Sequence, residues 1–553
     1  MGLLSLSIGV ALLAAPLQDL RLQSLFLMQQ QKVEESIRRY KEYTAAAGRH
    51  DFETLQQMGM SLLQKGASSE EPDSFLMTLF GAGLSGSIGA LDILELGIEH
   101  PDPQTQLMAL HFISQIEDDR TNDILHRAMS SDFLSTRMEA AFYLAQRKHP
   151  HAVGQIEGLM FRLPPQFKPF FPSLFALIGT NEATQTLRRL SEDPEPQVRI
   201  ESIIQVAKLG RDDFLPAFRK RLTHSHVAEL EAVIFAMGAL KDSHSIPKLK
   251  RHVSASTDTV RLAAALALLH LGDRSAVTLI EQLAQKSNLF AIAALGAVSG
   301  SEELLAQLST SADLQVRLNA GVALLQRRDP RASVVIAEIL VQDLRDVAFQ
   351  PLASVGRTLS ALKAVPSAQL HANDPSIDLS YSVAIREHIL RESLHLPEES
   401  FLHLARLLFK RQQSDLIPCL IALLENLQTD GAKAILREGT TMQTNPLIRS
   451  YCHLALYRMK EKGPHEDYVR RWVLQQKQAE LIRFRPLLPW KYRLEQTDYS
   501  LTPEETSKLL IDSVLAIASR RDERSINFLL DTICQGNPVN RYPLMGLLMK
   551  ATE

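Results

Sequence analysis

The sequence predicts an all-α protein, an α-solenoid of stacked antiparallel helix pairs, from three observations. Apolar residues recur at helical spacing, a short turn returns about every thirty residues, and an arginine recurs in phase with that turn. The composition agrees, because 45% of the 553 residues are hydrophobic while only 2 Trp and 10 Tyr occur. The apolar content is therefore largely Leu, Ile and Ala, as expected for packed helices.

The clearest turn runs from Leu271 to Ala276. The apolar positions before it share one helix face and are Val260, Ala263, Ala264, Ala267, Leu268 and Leu271. The apolar positions after it repeat that spacing at Ala276, Leu279, Ile280 and Leu283. Gly272 suits the left-handed position that ends a helix, and Asp273 can accept hydrogen bonds from the amides that begin the next. This stretch therefore predicts a helical hairpin.

Similar turns return through the middle of the chain, at Gly179-Thr180-Asn181, Gly210-Arg211-Asp212, Lys241-Asp242, Gly272-Asp273, Gly300-Ser301 and Arg328-Asp329-Pro330. An arginine after an apolar residue marks the first helix of several units, at Arg199, Arg261 and Arg317, with a less regular upstream copy at Arg137. In the two intervening units Glu231 and Phe290 stand where arginine is expected. Since two markers agree in period, we expect stacked units.

Two stretches carry a family resemblance. Asp313 to Ala320 reads Asp-Leu-Gln-Val-Arg-Leu-Asn-Ala, and Glu195 to Ser202 reads Glu-Pro-Gln-Val-Arg-Ile-Glu-Ser. Both resemble HEAT-type repeats, especially the short bacterial form also found in phycobilisome-lyase-like proteins, and the likeness is good over residues 100 to 344. The resemblance implies a curved stack of helix pairs in which each unit buries its apolar face against its neighbours.

The first residues of the chain are apolar on every side of a helix. The segment from Leu3 to Ala15 resembles the apolar core of a signal peptide, and its length of about 13 residues falls short of the roughly 20 that span a bilayer. No Lys or Arg precedes it, and Pro16 opposes cleavage after Ala15. A cleaved or anchored leader and a buried structural helix both remain open. The leader interpretation favours an exported, periplasmic protein over a cytoplasmic one, with membrane contact only through this segment.

Proline-rich and polar stretches divide the chain into predicted segments. The segments are residues 1–19, an apolar leader or first helix; 20–95, a helical N-terminal cap; 96–362, the repeat array; 363–380, a loop or linker; 381–463, diverged helical repeats; and 464–553, a C-terminal helical segment with a proline-broken Arg/aromatic loop. Within the last segment, Thr502-Pro503-Glu504-Glu505 has the pattern of a helix start.

Motifs for catalysis, metals or cofactors are scarce, and we predict none at any residue. A Gly-x-Gly-x-x-Gly occurs at Gly81 to Gly86, but without alternating strands and helices we expect a glycine-rich turn and not a dinucleotide site. Comparison of the motifs with those of enzymes of HEAT-like fold gives little support for a catalytic function. Deoxyhypusine hydroxylases carry several His-Glu dipeptides where this chain has only His465-Glu466. Alkylpurine DNA glycosylases line a basic concave face with Trp or Tyr, whereas both Trp residues of this chain lie outside the regular array. No residue constellation here supports the pigment binding of bilin lyases.

Two surfaces are candidate partner contacts. The first is a predicted basic edge at the ends of two consecutive second helices, made of Arg219, Lys220, Arg221, Lys248, Lys250 and Arg251. Cations at helix C-termini also have a structural explanation in the helix dipole. The second is an irregular segment from Arg483 to Arg493 that mixes basic and aromatic residues, including Arg483, Phe484, Arg485, Trp490, Lys491 and Tyr492. These aromatics could equally close the end of the solenoid.

The overall charge excludes a general attraction to polyanions. The formal charge is −3, with 60 Lys and Arg against 63 Asp and Glu, so the whole chain is not drawn to nucleic acid or anionic membranes. The sequence therefore predicts a non-catalytic scaffold or adaptor that binds a protein or peptide on its extended surface. Nucleic-acid binding through the basic edge, and an enzyme such as a lyase on the same frame, are the alternatives.

Overall fold

The computed structural model describes residues 17–149, 152–223, 226–344, 346–369, 380–413, 415–483, 501 and 503–553. The predicted leader, Leu3 to Ala15, lies outside this part of the chain. The fold has two compact units. Of the described residues, unit 1 contains 17–144, 456–483, 501 and 503–553, and unit 2 contains those between 145 and 455. In the part of the chain that is described, no helix combines the length and apolarity needed to cross a membrane.

The chain is built from helices with a single described pair of strands. The helices before the strands are α1 (17–29), α2 (Val33–Ala47), α3 (Phe52–Ala67), α4 (Pro72–Ser85), α5 (Leu91–Ile98), α6 (Pro103–Ser114), α7 (Asp119–Ala128), α8 (Leu134–Gln146), α9 (Ala152–Arg162), α10 (Phe171–Ile178), α11 (Asn181–Leu190), α12 (Pro196–Lys208), α13 (Leu215–Arg221), α14 (Val227–Ala239), α15 (Ile246–His252), α16 (Asp258–His270), α17 (Val277–Gln285), α18 (Leu289–Leu295), α19 (Glu302–Leu308), α20 (Leu314–Gln326) and α21 (Ala332–Val341).

The strands β1 (Val347–Ala353) and β2 (Ser360–Pro366) follow α21. The later helices are α22 (Ser380–Glu392), α23 (Glu398–Arg411), α24 (Ile417–Leu427), α25 (Asp430–Thr440), α26 (Pro446–Arg458), α27 (His465–Gln475), α28 (Pro503–Ala518), α29 (Glu523–Gln535) and α30 (Arg541–Thr552). This architecture confirms the predicted all-α, HEAT-like solenoid class. The helix predicted to restart near residue 502 begins at Pro503.

Unit 2 contains the regular repeats. Its first helices, which we define as α12, α14, α16, α18 and α20, form one row in which sequence neighbours pack on each other. Each second helix, α13, α15, α17, α19 and α21, packs on a neighbouring first helix. Small residues bring the first helices close together, since a Cβ added at Gly238 would lie 2.7 Å from the Cα of Ala267. The apolar faces are thus buried between neighbouring repeats.

Each of the six turns named above contains a residue in the left-handed backbone conformation. The φ angles are Gly179 69°, Gly210 68°, Lys241 55°, Gly272 86°, Gly300 91° and Arg328 59°. Asp273 then accepts a hydrogen bond from the amide of Ser275, as its predicted capping role requires. Lys241 and Arg328 show that the turn geometry is kept even where glycine is absent.

A β-hairpin follows α21 where the sequence predicts no strand. β1 and β2 pair in antiparallel register from Val347 opposite Pro366 to Ala353 opposite Ser360. The predicted helical array to residue 362 is therefore too long, and the predicted loop from residue 363 begins inside β2. The prolines Pro351 and Pro366 and the short apolar runs between them obscure the alternation of apolar and polar residues that is typical of a strand. A search for helical spacing therefore does not detect it.

In unit 1 the last helix of the sequence packs against early helices. The C-terminal helix α30 packs on α3 and α4, and Gln56 donates hydrogen bonds to Met549 O at 2.6 Å and Thr552 Oγ1 at 2.9 Å. Ion pairs join Arg541 to Glu34 at 2.7 Å and Lys41 to Asp531. The segments predicted separately as an N-terminal cap and a C-terminal segment thus share one core.

Candidate functional site

Two side-chain amides of α20 hold the main chain of β2. Gln315 donates to the carbonyl of Ala364 at 2.6 Å and accepts from its amide at 2.9 Å. Asn319 does the same for Leu362, with both distances 2.7 Å. The two side chains lie four residues apart and so share one face of the helix. Each side-chain amide thus makes the two hydrogen bonds that the main chain of a neighbouring strand would make with the outer edge of β2.

The tip of the hairpin reaches α14, more than a hundred residues earlier in the chain. The carboxylate of Glu231 is fully buried and accepts hydrogen bonds from the hydroxyls of Ser354 and Thr358, the latter at 2.6 Å. The amides of Gly356 and Thr358 donate to it at 3.2 and 3.4 Å. These four donors compensate the burial of the carboxylate.

Gly356 is required at the tip by close packing. A Cβ at this position would lie 2.6 Å from the Cβ of Glu231 and 2.7 Å from the carbonyl oxygen of Ala228. Both neighbours belong to α14, and one of them is backbone that cannot rotate away. A larger residue at position 356 would therefore lift the tip from the helix.

The tip also contacts α12 through a charged pair. Arg357 Nη1 lies 3.7 Å from Glu201 Oε2, and Glu201 also accepts from Gln205 at 2.7 Å. Gln197 and Glu201 are the second and sixth residues of α12, the positions that Gln315 and Asn319 occupy in α20. We define the first-helix face as the side of the first helices that carries Gln197, Glu201, Glu231, Gln315 and Asn319.

The outer edge of β1 is protected from further strand pairing at two positions. The Ser382 hydroxyl of α22 accepts from the amide of Phe349 and donates to its carbonyl, both at 2.9 Å. Pro351 has no amide proton to offer. Because Ala348 and Phe349 are buried, the base of the hairpin is anchored by apolar packing as well.

Structural alignment corrects two positions of the predicted arginine marker. Arg199, Arg261 and Arg317 each follow the residue that caps their helix by four positions, and the same positions in α14 and α18 are Leu230 and Ile292. The predicted equivalents Glu231 and Phe290 are thus out of register. Because apolar residues surround Glu231 in sequence, spacing alone could not place it accurately.

The marker arginines bind carbonyl groups and carboxylates around the turns. Arg199 donates to Asp193 O at 2.8 Å and pairs with Glu229 at 2.7 Å. Arg317 donates to Ser311 O at 2.7 Å and pairs with Glu338 at 2.8 Å. Of the other two marker arginines, Arg261 pairs with Asp258 at 3.0 Å, and Arg137 lies half-buried in α8.

The predicted basic edge lies at the ends of α13 and α15, and most of its cations have partners. Arg219 donates to both carboxylate oxygens of Asp242, at 2.9 and 2.6 Å. Lys250 lies 2.9 Å from Asp273, the same position one repeat later. These hydrogen bonds from Arg219 lower the pKa of Asp242, and those from Ser275 and Lys250 lower the pKa of Asp273 to about 2.

The other members of the edge differ in exposure. Arg221 pairs with Glu229 at 2.9 Å, and Lys248 donates to Arg219 O at 3.2 Å. Lys220 and Arg251 are exposed. Lys250 is exposed as well, so three of the six predicted cations face solvent, and the role of the edge in partner binding stays a prediction.

The predicted Arg/aromatic segment falls almost wholly outside the described part of the chain. Arg483 is described and pairs with Glu480 at 3.3 Å. Phe484, Arg485, Trp490, Lys491 and Tyr492 lie outside the described residues, and their role as a contact site stays a prediction.

The glycine motif of α4 serves helix packing. Gly81 and Gly83 lie inside the helix and not in a turn, while Gly86 ends it with φ 67°. A Cβ at Gly81 would overlap the backbone of Tyr542, and one at Gly83 would overlap the ring of Phe112. Close approach of neighbouring helices accounts for two of the three glycines.

Comparison with known proteins gives only distant structural likenesses. No protein-family model matches the chain, and no curated protein matches it. Among solved structures, the karyopherin Kap121p bound to the extreme C-terminus of the protein phosphatase Cdc14p is 11% identical with a TM-score of 0.34 over 90% of this chain. Kap121p bound to Pho4p is 12% identical with a TM-score of 0.35 over 92%. The chain spans about 61% of the length of both.

Proposed function

We propose that this chain is a non-catalytic scaffold that binds an extended polypeptide segment of a partner protein on the first-helix face of unit 2. The observation that carries the proposal is the grip of Gln315 and Asn319 on the main chain of β2. Main-chain contacts of this kind give affinity for a strand with little dependence on its side chains.

A second pair occupies the same helix positions on α12, where the Glu201 side chain is 14% exposed. Gln197 is exposed on α12, and Glu201 contacts only the tip residue Arg357 among the hairpin residues. A strand that continues along the row past the hairpin tip would meet these two side chains next. The open end of the first-helix face is therefore the proposed entry for a partner segment.

Site-specific photo-crosslinking tests the proposal. A photoreactive residue is placed at Gln197 or Lys208, both exposed on α12, and matched controls carry it at Lys220 or Arg251 on the basic edge. In extract from the native organism we expect polypeptide crosslinks from the α12 positions and few from the edge. Crosslinks confined to the edge would contradict the proposal, and nucleic acid among those products would favour the alternative.

A further inference from the structure

The two halves of the hairpin are held by different forces. Its base is buried through Ala348 and Phe349. Its far half, residues 351–361, meets the first-helix face mainly through hydrogen bonds to Glu231 and the Arg357 contact with Glu201. Segments held by few apolar contacts open at lower free-energy cost than the core around them.

The face beneath the far half is polar and would stay soluble when uncovered. Glu231 and Glu201 could exchange their contacts with this half for water, while Gln315 and Asn319 hold Ala364 and Leu362 just beyond it. Leu359 is the main apolar side chain of this half to be buried, at 7% exposure. Opening would therefore uncover hydrogen-bonding groups and little apolar surface.

We propose that the far half of the hairpin is a tethered occupant of the partner site, and that the partner supplies a strand and turn of the same chemistry. This inference rests on the proposed function. The partner turn has glycine against α14, Ser or Thr hydroxyls on both sides of it, and a basic residue for Glu201.

The chemistry of the site selects this kind of turn. Two carboxylates, Glu201 and Glu231, lie under the tip, so an acidic turn would be repelled. A hydroxyl or amide donor satisfies Glu231, whereas an apolar side chain would leave its charge buried without a partner. Any residue larger than glycine at the central position meets the backbone of α14.

A variant with an opened hairpin tests the inference. Gly356→Val should lift the tip while leaving Glu231, Gln315 and Asn319 unchanged, and Ser354→Ala with Thr358→Ala is a milder second version. The probe is a fluorescent peptide with the sequence of residues 346–367. Because a tethered strand competes at high effective concentration, we expect the opened variants to bind it at least about tenfold more tightly than the wild-type chain.

Matched controls separate the specific site from general loosening. Val355→Ala changes an exposed neighbouring residue and should bind the peptide as weakly as wild type. A peptide with Ser354→Ala and Thr358→Ala, or an opened chain with Glu231→Leu, should lose the gain. Thermal unfolding of each variant shows that the array remains folded.

Two results would overturn the inference. One is equal peptide binding by wild-type and opened chains, and the other is continued protection of the backbone amides at positions 356 and 358 from hydrogen exchange in both opened versions. Neither result bears on the crosslinks at Gln197 and Lys208, which test the proposed function separately.

Discussion

The basic edge and the first-helix face of unit 2 both carry charged or amide side chains. The two surfaces differ in how far apart in the sequence their contact partners lie. At the edge, Arg219 meets Asp242, 23 residues away in the next repeat. On the face, Glu231 meets Ser354, 123 residues away. The edge contacts tie one repeat to the next, whereas the face contacts hold a separate segment across several repeats.

The contacts at the edge therefore hold the repeats together, whereas the contacts on the face hold the hairpin. A contact between neighbouring repeats forms whenever the array folds, so its loss should weaken the whole stack. A contact with a distant hairpin can be lost while the helices beneath remain packed. Substitutions on the edge should therefore change global stability, and those on the face should change local opening.

The largest effect is expected at Asp242, which is only 2% exposed. Asp242→Ala removes the acceptor for Arg219 and Ser245, and we expect the free energy of unfolding to fall by about 2 kcal/mol. Denaturant unfolding followed by circular dichroism measures this change. Asp273→Ala, at the less buried equivalent, should cost clearly less; equal losses would show that burial does not distinguish the two pairs.

Glu231→Gln should act locally. The amide can accept from fewer donors than the carboxylate, so the free energy of opening the tip should fall by about 1.4 kcal/mol, which is a tenfold faster exchange of the Gly356 and Thr358 amides. Hydrogen exchange measured by NMR or mass spectrometry gives this rate. The control Glu338→Gln, which removes an ion pair of Arg317, should leave those amides unchanged. A matched acceleration in the control would count against a specific Glu231 contact.

A smaller local effect is expected at Asn319. Asn319→Leu removes both hydrogen bonds to Leu362, and we expect about 1 kcal/mol less protection of that amide. Hydrogen exchange again provides the measurement, with Gln205→Leu on α12 as the control. If the Leu362 amide kept its full protection, the side-chain amide would not be what holds the strand.

The smallest expected effect is the pH dependence of stability that the two edge carboxylates, Asp242 and Asp273, contribute. Because the folded-state pKa values of Asp242 and Asp273 lie below their usual range, their contribution to stability is complete above about pH 4 and is lost as pH falls toward 2. Calorimetry between pH 5 and 2 should show a shallower fall in Tm, by about a degree or two, for the double variant Asp242→Asn/Asp273→Asn. An unchanged slope would contradict the pairing.

The sequence predicts the array well because its signals are local. Gly272 and Asp273 are adjacent and have clear conformational roles, and their recurrence locates the other turns. The edge pairs also have a regular spacing, since Arg188 with Asp213, Arg219 with Asp242, and Lys250 with Asp273 repeat through the stack. A search for carboxylates in phase with the cations could have found them.

The candidate site could not be predicted in the same way. Glu231, Gln315 and Asn319 are ordinary helix residues until the hairpin lies across them, and no local pattern links them to residues 354–364. The hairpin itself is short and interrupted by Pro351. The one available signal was Glu231 itself, a charged residue between the apolar Leu230 and Ala232 of α14.

Native-state hydrogen exchange of the wild-type chain tests the central claim most directly, that the far half of the hairpin opens independently of the array. We expect the Gly356 and Thr358 amides to exchange at least about a hundredfold faster than Leu230 in α14, at a rate insensitive to low urea concentrations. Exchange of all three amides at one rate with the same urea dependence would contradict it, because the hairpin would then be a fixed part of the fold.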